Sequence, residues 1–168
     1  MKKVLARLDA AHKQLLETIK PLDAEKFAER PAPNQWSVAE VVHHLCLVEQ
    51  RVIEGLEREL GQPPQSLALL YRLIPYSLIV GRRVRRVRAP EYVEPLNPPP
   101  KETVIENYNR TRAALKAIGC EHGRQRLNRV VLKHPFFGKL SGLKAFAFVR
   151  YHEQRHYKQI QEIIRHIG

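Results

Sequence analysis

The sequence is poor in features that announce a specialised class of protein. Its only cysteines, Cys46 and Cys120, stand far apart and form no CxxC or other metal-type spacing, so a disulfide scaffold is not expected. No apolar run reaches the ~20 residues that a membrane-spanning helix needs. The longest, Leu67 to Val80, is broken by Arg72 and Pro75. The opening stretch MKKVLARLDAAHKQLLETIK begins basic, but polar residues interrupt it before the apolar core of a secretory signal can form. By elimination the expected location is cytoplasmic. There is no internal repeat, no low-complexity tract, and little that reads as strand.

What is present fits an ordinary globular chain. Its 168 residues are 43% apolar and 27% charged, so a single domain over 1–168 with a sizeable core is expected. The formal net charge of +12 raises the prospect of phosphate, nucleic-acid or anionic-membrane partners, and equally fits good solubility. Much of that charge is gathered in Arg82, Arg83, Arg85, Arg86 and Arg88.

Four segments carry helical periodicity. The first runs from about Lys3 to Ile19, with Leu5, Leu8, Leu15, Ile19 and Leu22 on one stripe and His12 within it. The second begins at the clearest boundary in the chain, Trp36-Ser37-Val38-Ala39-Glu40. Ser37 and Glu40 have capping-box spacing, and Trp36 and Val41 have the spacing of a hydrophobic staple. This helix should end at Leu60, before Gly61, Pro63 and Pro64. A short apolar helix over Ser66 to Val80, the basic run and a proline-studded linker, Ala89 to Pro100, follow. The third helix is expected over Glu102 to Ile118, ended by Gly119, with a further short element around Arg124 to Lys133. The fourth runs from about Ser141 to His166. An up-down four-helix bundle is the simplest way to bury four such stripes, making the fold class all-α with an extra short helix and basic loop between helices 2 and 3.

The chemistry lies in the histidines. His152 and His156 are one helical turn apart on one face, at positions where the pattern otherwise places Val149 and Ile160. His44 sits three after Val41 and four before Val48, so it also faces inward, whereas His43 points roughly 100° away and belongs at the rim. Three imidazoles on core stripes need partners, and one divalent metal ion would serve all three. Rival readings remain: three hydrogen-bonded core histidines without a metal, as expected of His12 alone, or a chance H-x-x-x-H pair. The string HEQRH also matches the zincin pattern H-E-x-x-H, which would make Glu153 a general base, but the string by itself does not decide. Glu49 and Glu153 are badly placed as ligands. Tyr108 and Thr111 could present hydroxyls from the third helix, although Tyr108 reads better as a half-buried core aromatic.

The stretch QWSVAEVVHHLCLVEQ resembles the signature of the DinB-like superfamily, the DinB/YfiT-like metalloenzymes, through Trp36, Ser37, Glu40, His44 and Leu45. The family's late pattern is matched by His134, Pro135 and Gly138, then His152, His156, Gln159 and Ile160. The resemblance implies a four-helix bundle with a three-histidine metal site at His44, His152 and His156, typically for zinc or nickel. It implies relatives that include thiol-dependent S-transferases and a mycothiol-dependent isomerase, and frequent homodimers. The chain departs from the pattern in one place. Relatives often carry Ala-Asp-Ser after the His-Leu, where this chain has Cys46-Leu47-Val48.

Two functions follow. One is a metal-dependent hydrolase or thiol transferase acting on a small molecule, with a low-molecular-weight thiol as a candidate cofactor. The other is a non-catalytic binding protein that meets an anionic membrane or nucleic acid through 81–88, a segment that would also suit a solvated loop or a lid.

Overall fold

The computed structural model describes residues 1–66, 89–135 and 138–168. The expected short apolar helix and the basic segment 81–88 fall outside those residues, apart from Ser66. Among the described residues lie five α-helices, α1 (Lys2–Ile19), α2 (Ala24–Ala28), α3 (Val38–Leu60), α4 (Lys101–Asn128) and α5 (Gly142–Ile167). A single 3-10 turn (Glu91–Val93) precedes α4, and a hairpin of β1 (Val131–His134) and β2 (Gly138–Ser141) precedes α5.

The four long helices form the expected bundle. At α3 the capping box is complete: Glu40 N–H donates to Ser37 Oγ at 3.2 Å, and Ser37 N–H donates to Glu40 Oε2 at 2.8 Å. Such a cap stabilises a helix by about 1 kcal/mol. Arg30 donates to the same carboxylate, tying the preceding loop to the cap. Ser141 caps α5 in the expected place, accepting from Lys144 N–H.

The apolar side chains divide into two clusters stacked along the bundle. One gathers Leu8, Val52, Leu56, Leu115, Phe146 and Val149. The other gathers Leu15, Val41, Leu45, Tyr108, Ile160 and Ile163. Following the clusters along each helix gives the directions: α1 and α5 run one way, α3 and α4 the other. The order is therefore up, down, down, up, in place of the up-down alternation expected within the four-helix bundle. Consecutive α3 and α4 are parallel because α3 ends at one end of the bundle and α4 begins at the other, which a short loop would not allow.

Two local expectations are revised. The third helix does not stop at Gly119. That glycine is buried where α1 and α5 cross α4, and a Cβ there would lie 2.9 Å from Met1 and 3.0 Å from Leu5 and Phe146. The break falls instead at Gly123 (φ 64°), a backbone conformation that side-chain-bearing residues rarely adopt, after which the helix resumes to Asn128. Strand also forms where little of it was expected, on either side of Pro135. Val131 pairs with Ser141 and Leu132 with Leu140, turning Leu132 and Leu140 into the core. A Cβ at Gly55 of α3 would lie 2.8 Å from Leu132, so this glycine lets the hairpin approach.

Candidate metal centre

Every long helix places a polar side chain between the two apolar clusters: His12 from α1, Glu49 from α3, Arg112 from α4 and Glu153 from α5. The α3 and α5 contributions line one small cavity together with His152. The nitrogens that His44, His152 and His156 offer all lie within 4.8 Å of one another, and this is the one such group of His, Cys, Asp or Glu among the described residues. His152 Nε2 and His156 Nε2 are 3.2 Å apart. A tetrahedral zinc with Zn–N near ~2.05 Å spaces its ligands by roughly 3.3 Å, so the pair already has ligand spacing.

The outer nitrogens supply a second test of fit. His44 Nδ1 lies 2.7 Å from the Val93 carbonyl, and His156 Nδ1 lies 2.9 Å from Gln159 Oε1. Each Nδ1–H donates to its oxygen, which turns the Nε2 lone pair to the side where the three rings converge. Metal-ligating histidines are commonly held in this way. Burial lowers the pKa of His44, and burial together with the neighbouring His156 and His44 lowers that of His152 well below the ordinary range. Both are thereby kept in the neutral form that binds metal. Aromatic rings flank the group: Trp36 lies 5.0 Å from His44, and Phe148 lies 5.4 Å from His152. His134, at the end of β1, packs edge-on against Phe148.

The other candidates fall elsewhere. Glu153 does not serve as a zincin-type base. Its Oε1 accepts from the Tyr108 hydroxyl and, at 3.0 Å, from Arg112, while burial and the adjacent Glu49 push its pKa up to about 9. Glu49 is paired with Arg112 at 2.8 Å, and Arg112 also donates to the Leu8 carbonyl. Tyr108 is fully buried and committed to Glu153, and Thr111 donates to the Tyr108 carbonyl of its own helix, so neither hydroxyl joins the histidines. His12 bonds Asn109 through Nε2 at 2.8 Å, while its buried Nδ1 makes no hydrogen bond to the described residues, and burial lowers its pKa to about 4. His43 is half-buried at the rim. The Cys46 thiol donates to Val104 O, and burial together with Glu49 pushes its pKa up to about 12, so it is no nucleophile at neutral pH.

Sequence reasoning missed Arg112 and Val93. Arg112 was legible: it follows Tyr108 by four and precedes Leu115 by three, a charged residue on an apolar stripe. Val93 acts through a backbone carbonyl, which leaves no side-chain signature.

A sequence profile of the DinB superfamily matches residues 7–160. The chain belongs to the DinB superfamily. It is 26% identical over 161 residues to the uncharacterized protein YuaE of Bacillus subtilis (strain 168), covering 86% of this chain and 87% of YuaE. Among solved structures it is similar to TT2238, a four-helix bundle protein, with a TM-score of 0.63 and 23% identity over 96% of this chain and 98% of TT2238. It is also similar to YfiT from Bacillus subtilis, described as a probable metal-dependent hydrolase with an unusual four-helix bundle topology. There the TM-score is 0.58 and the identity 16%, over 98% of this chain and 85% of YfiT. At those identities the two structures establish the DinB fold alone. Among the described residues no helix is long and apolar enough to cross a membrane.

The Gln159 contact makes a direct prediction. Gln159→Leu removes the acceptor that orients His156 and should raise the Zn2+ Kd by about 10–100-fold, whereas Gln159→Glu should preserve tight binding. Competition titration against a chromophoric chelator measures both. A Kd for Gln159→Leu equal to that of the unsubstituted protein would show that His156 needs no such support.

Proposed function

We propose that the protein is a metal-dependent enzyme that acts on a small molecule, with a divalent zinc or nickel ion held by His44, His152 and His156. One observation carries the reading: imidazole nitrogens from α3 and α5 converge within 4.8 Å, and two of the rings donate their outer N–H to fixed oxygens. Three protein ligands are the pattern of catalytic rather than structural zinc sites. When bound, such an ion supplies a Lewis acid that polarises a substrate carbonyl or activates water or a thiol. The residues themselves set orientation and exclude water. Val93 O and Gln159 Oε1 hold two rings in the binding tautomer, and Trp36 and Phe148 wall the centre with aromatic surface.

The description of YfiT supports hydrolysis as the first reaction to test. Thiol-dependent S-transfer uses the same site and is the second; turnover that requires an added low-molecular-weight thiol separates the two.

Occupancy is tested first. Elemental analysis of protein purified without a His tag should find about one zinc or nickel per chain. Trp36 gives an independent optical readout. It is the sequence's one tryptophan, with ring centroids 5.0 Å from His44 and 6.4 Å from His156. Titrating metal-stripped protein with Ni2+ should quench its fluorescence and saturate at one equivalent. No bound metal after reconstitution, with unchanged fluorescence, would sink the enzyme reading.

A further inference from the structure

His44 and His156 each have an outer ring nitrogen engaged by an oxygen. His152 differs. Its Nε2 faces His156, and among the described residues its Nδ1 makes no hydrogen bond within the protein. His152 lines a small cavity of about 10 Å3 that it shares with Val48, Val149, Glu49, Arg112 and Glu153. That is about the space one water needs, by the ~10–15 Å3 criterion. Glu153 is 1% exposed and points one oxygen at Tyr108 and Arg112. Its other oxygen, Oε2, is buried and makes no hydrogen bond to the described residues. A buried polar atom of this kind needs a partner, and Glu153 is one of the residues that line the cavity.

We propose that the cavity holds one ordered water joining His152 Nδ1 to Glu153 Oε2, which makes Glu153 a positioning residue for the third metal ligand. The inference rests on the metal reading above. His152 Nδ1–H donates to the water, leaving Nε2 its lone pair, the same tautomer that Val93 and Gln159 impose on the other two rings. Arg112 anchors Glu153 and also bonds Glu49 and the Leu8 carbonyl. The third ligand is thereby tied to a node shared by all four long helices.

Cavity-wall variants test the link without touching a polar side chain. Val149→Ile adds a methyl group and displaces the water; Val149→Ala leaves room for it. In competition titrations with Zn2+, Val149→Ile should bind about 10–100-fold more weakly than wild type, and Val149→Ala within about threefold of it. The visible ligand-field spectrum of bound Co2+ should shift in Val149→Ile only. Val48→Ile fills the same cavity from α3 and repeats the measurement should Val149→Ile fail to fold by circular dichroism. A merely structural role for the cavity would move the alanine and isoleucine variants together. Folded isoleucine variants that bind Zn2+ like wild type overturn the proposal and leave the metal site intact. So does a high-resolution crystal structure in which the cavity holds no water bonded to His152. A wild type that binds no metal overturns both readings.

Discussion

Replacing His156 by alanine is expected to weaken Zn2+ binding by about two to three orders of magnitude while the bundle remains folded. The magnitude follows from the ~10–16 kcal/mol with which four protein ligands hold structural zinc, or about 2.5–4 kcal/mol for each. The choice of residue follows from geometry. His156 Nε2 lies 3.2 Å from His152 Nε2, and its other nitrogen is already committed to Gln159. Removing it therefore takes away a preorganised ligand and strands a second. The fold should survive because the ring lies at the junction of the two apolar clusters, whose packing above and below is untouched. Thermal melts separate the two effects. A free ion at 100 times its Kd stabilises the folded state by about 2.7 kcal/mol, so added Zn2+ should raise the wild-type melting temperature and leave that of His156→Ala unmoved. Equal Zn2+ affinity in the two proteins would mean that the three imidazoles do not share an ion.

The second large effect concerns stability. Arg112→Met should lower the unfolding free energy by about 3–5 kcal/mol, the usual cost of removing one partner from a buried ion pair. Arg112 is 3% exposed, and it is the cation that faces both Glu49 and Glu153. Burial pushes the Glu49 pKa up, and the guanidinium is what pulls against that push. Without it, Glu49 either stays charged in the interior with no cation beside it or takes up a proton, and each course costs stability. The Leu8 carbonyl also loses its donor. Urea denaturation at neutral pH measures the effect. A triple variant that also makes Glu49 and Glu153 apolar should recover most of the loss, since apolar replacement of a whole buried charge cluster is often neutral or stabilising. A single-variant loss under about 1 kcal/mol would mean that water reaches these groups in solution.

The two predictions probe one arrangement from opposite sides. The three histidines proposed to hold the metal come from α3 and α5, and Arg112 from α4 pins those same helices through Glu49 and Glu153. Chemistry and stability therefore meet in a single polar layer between two apolar clusters.

Much of this was readable along the chain because it depends on near neighbours. Helical period alone turns His44, His152 and His156 inward, and the Ser37–Glu40 spacing marks the start of α3 to the residue. Four amphipathic stripes are enough to specify a helical bundle, since each must cover its apolar face. The fate of a glycine was not readable in the same way. Gly119 and Gly123 look alike in sequence, yet Met1, Leu5 and Phe146 fill the space at the first, and the second adopts a positive φ. The hairpin at 131–141 was hidden for a similar reason. Its short strands carry too few residues for a clear alternation, and they are stabilised by packing Leu132 onto Gly55 of a distant helix. Helix direction, the Val93 carbonyl on His44 and the Arg112 node likewise join residues that the sequence keeps far apart. By itself the sequence determined which faces are buried and which three rings face inward, because periodicity is a local property of the backbone. Only the tertiary structure decided that those rings meet, and what holds them, because convergence depends on how separate helices pack.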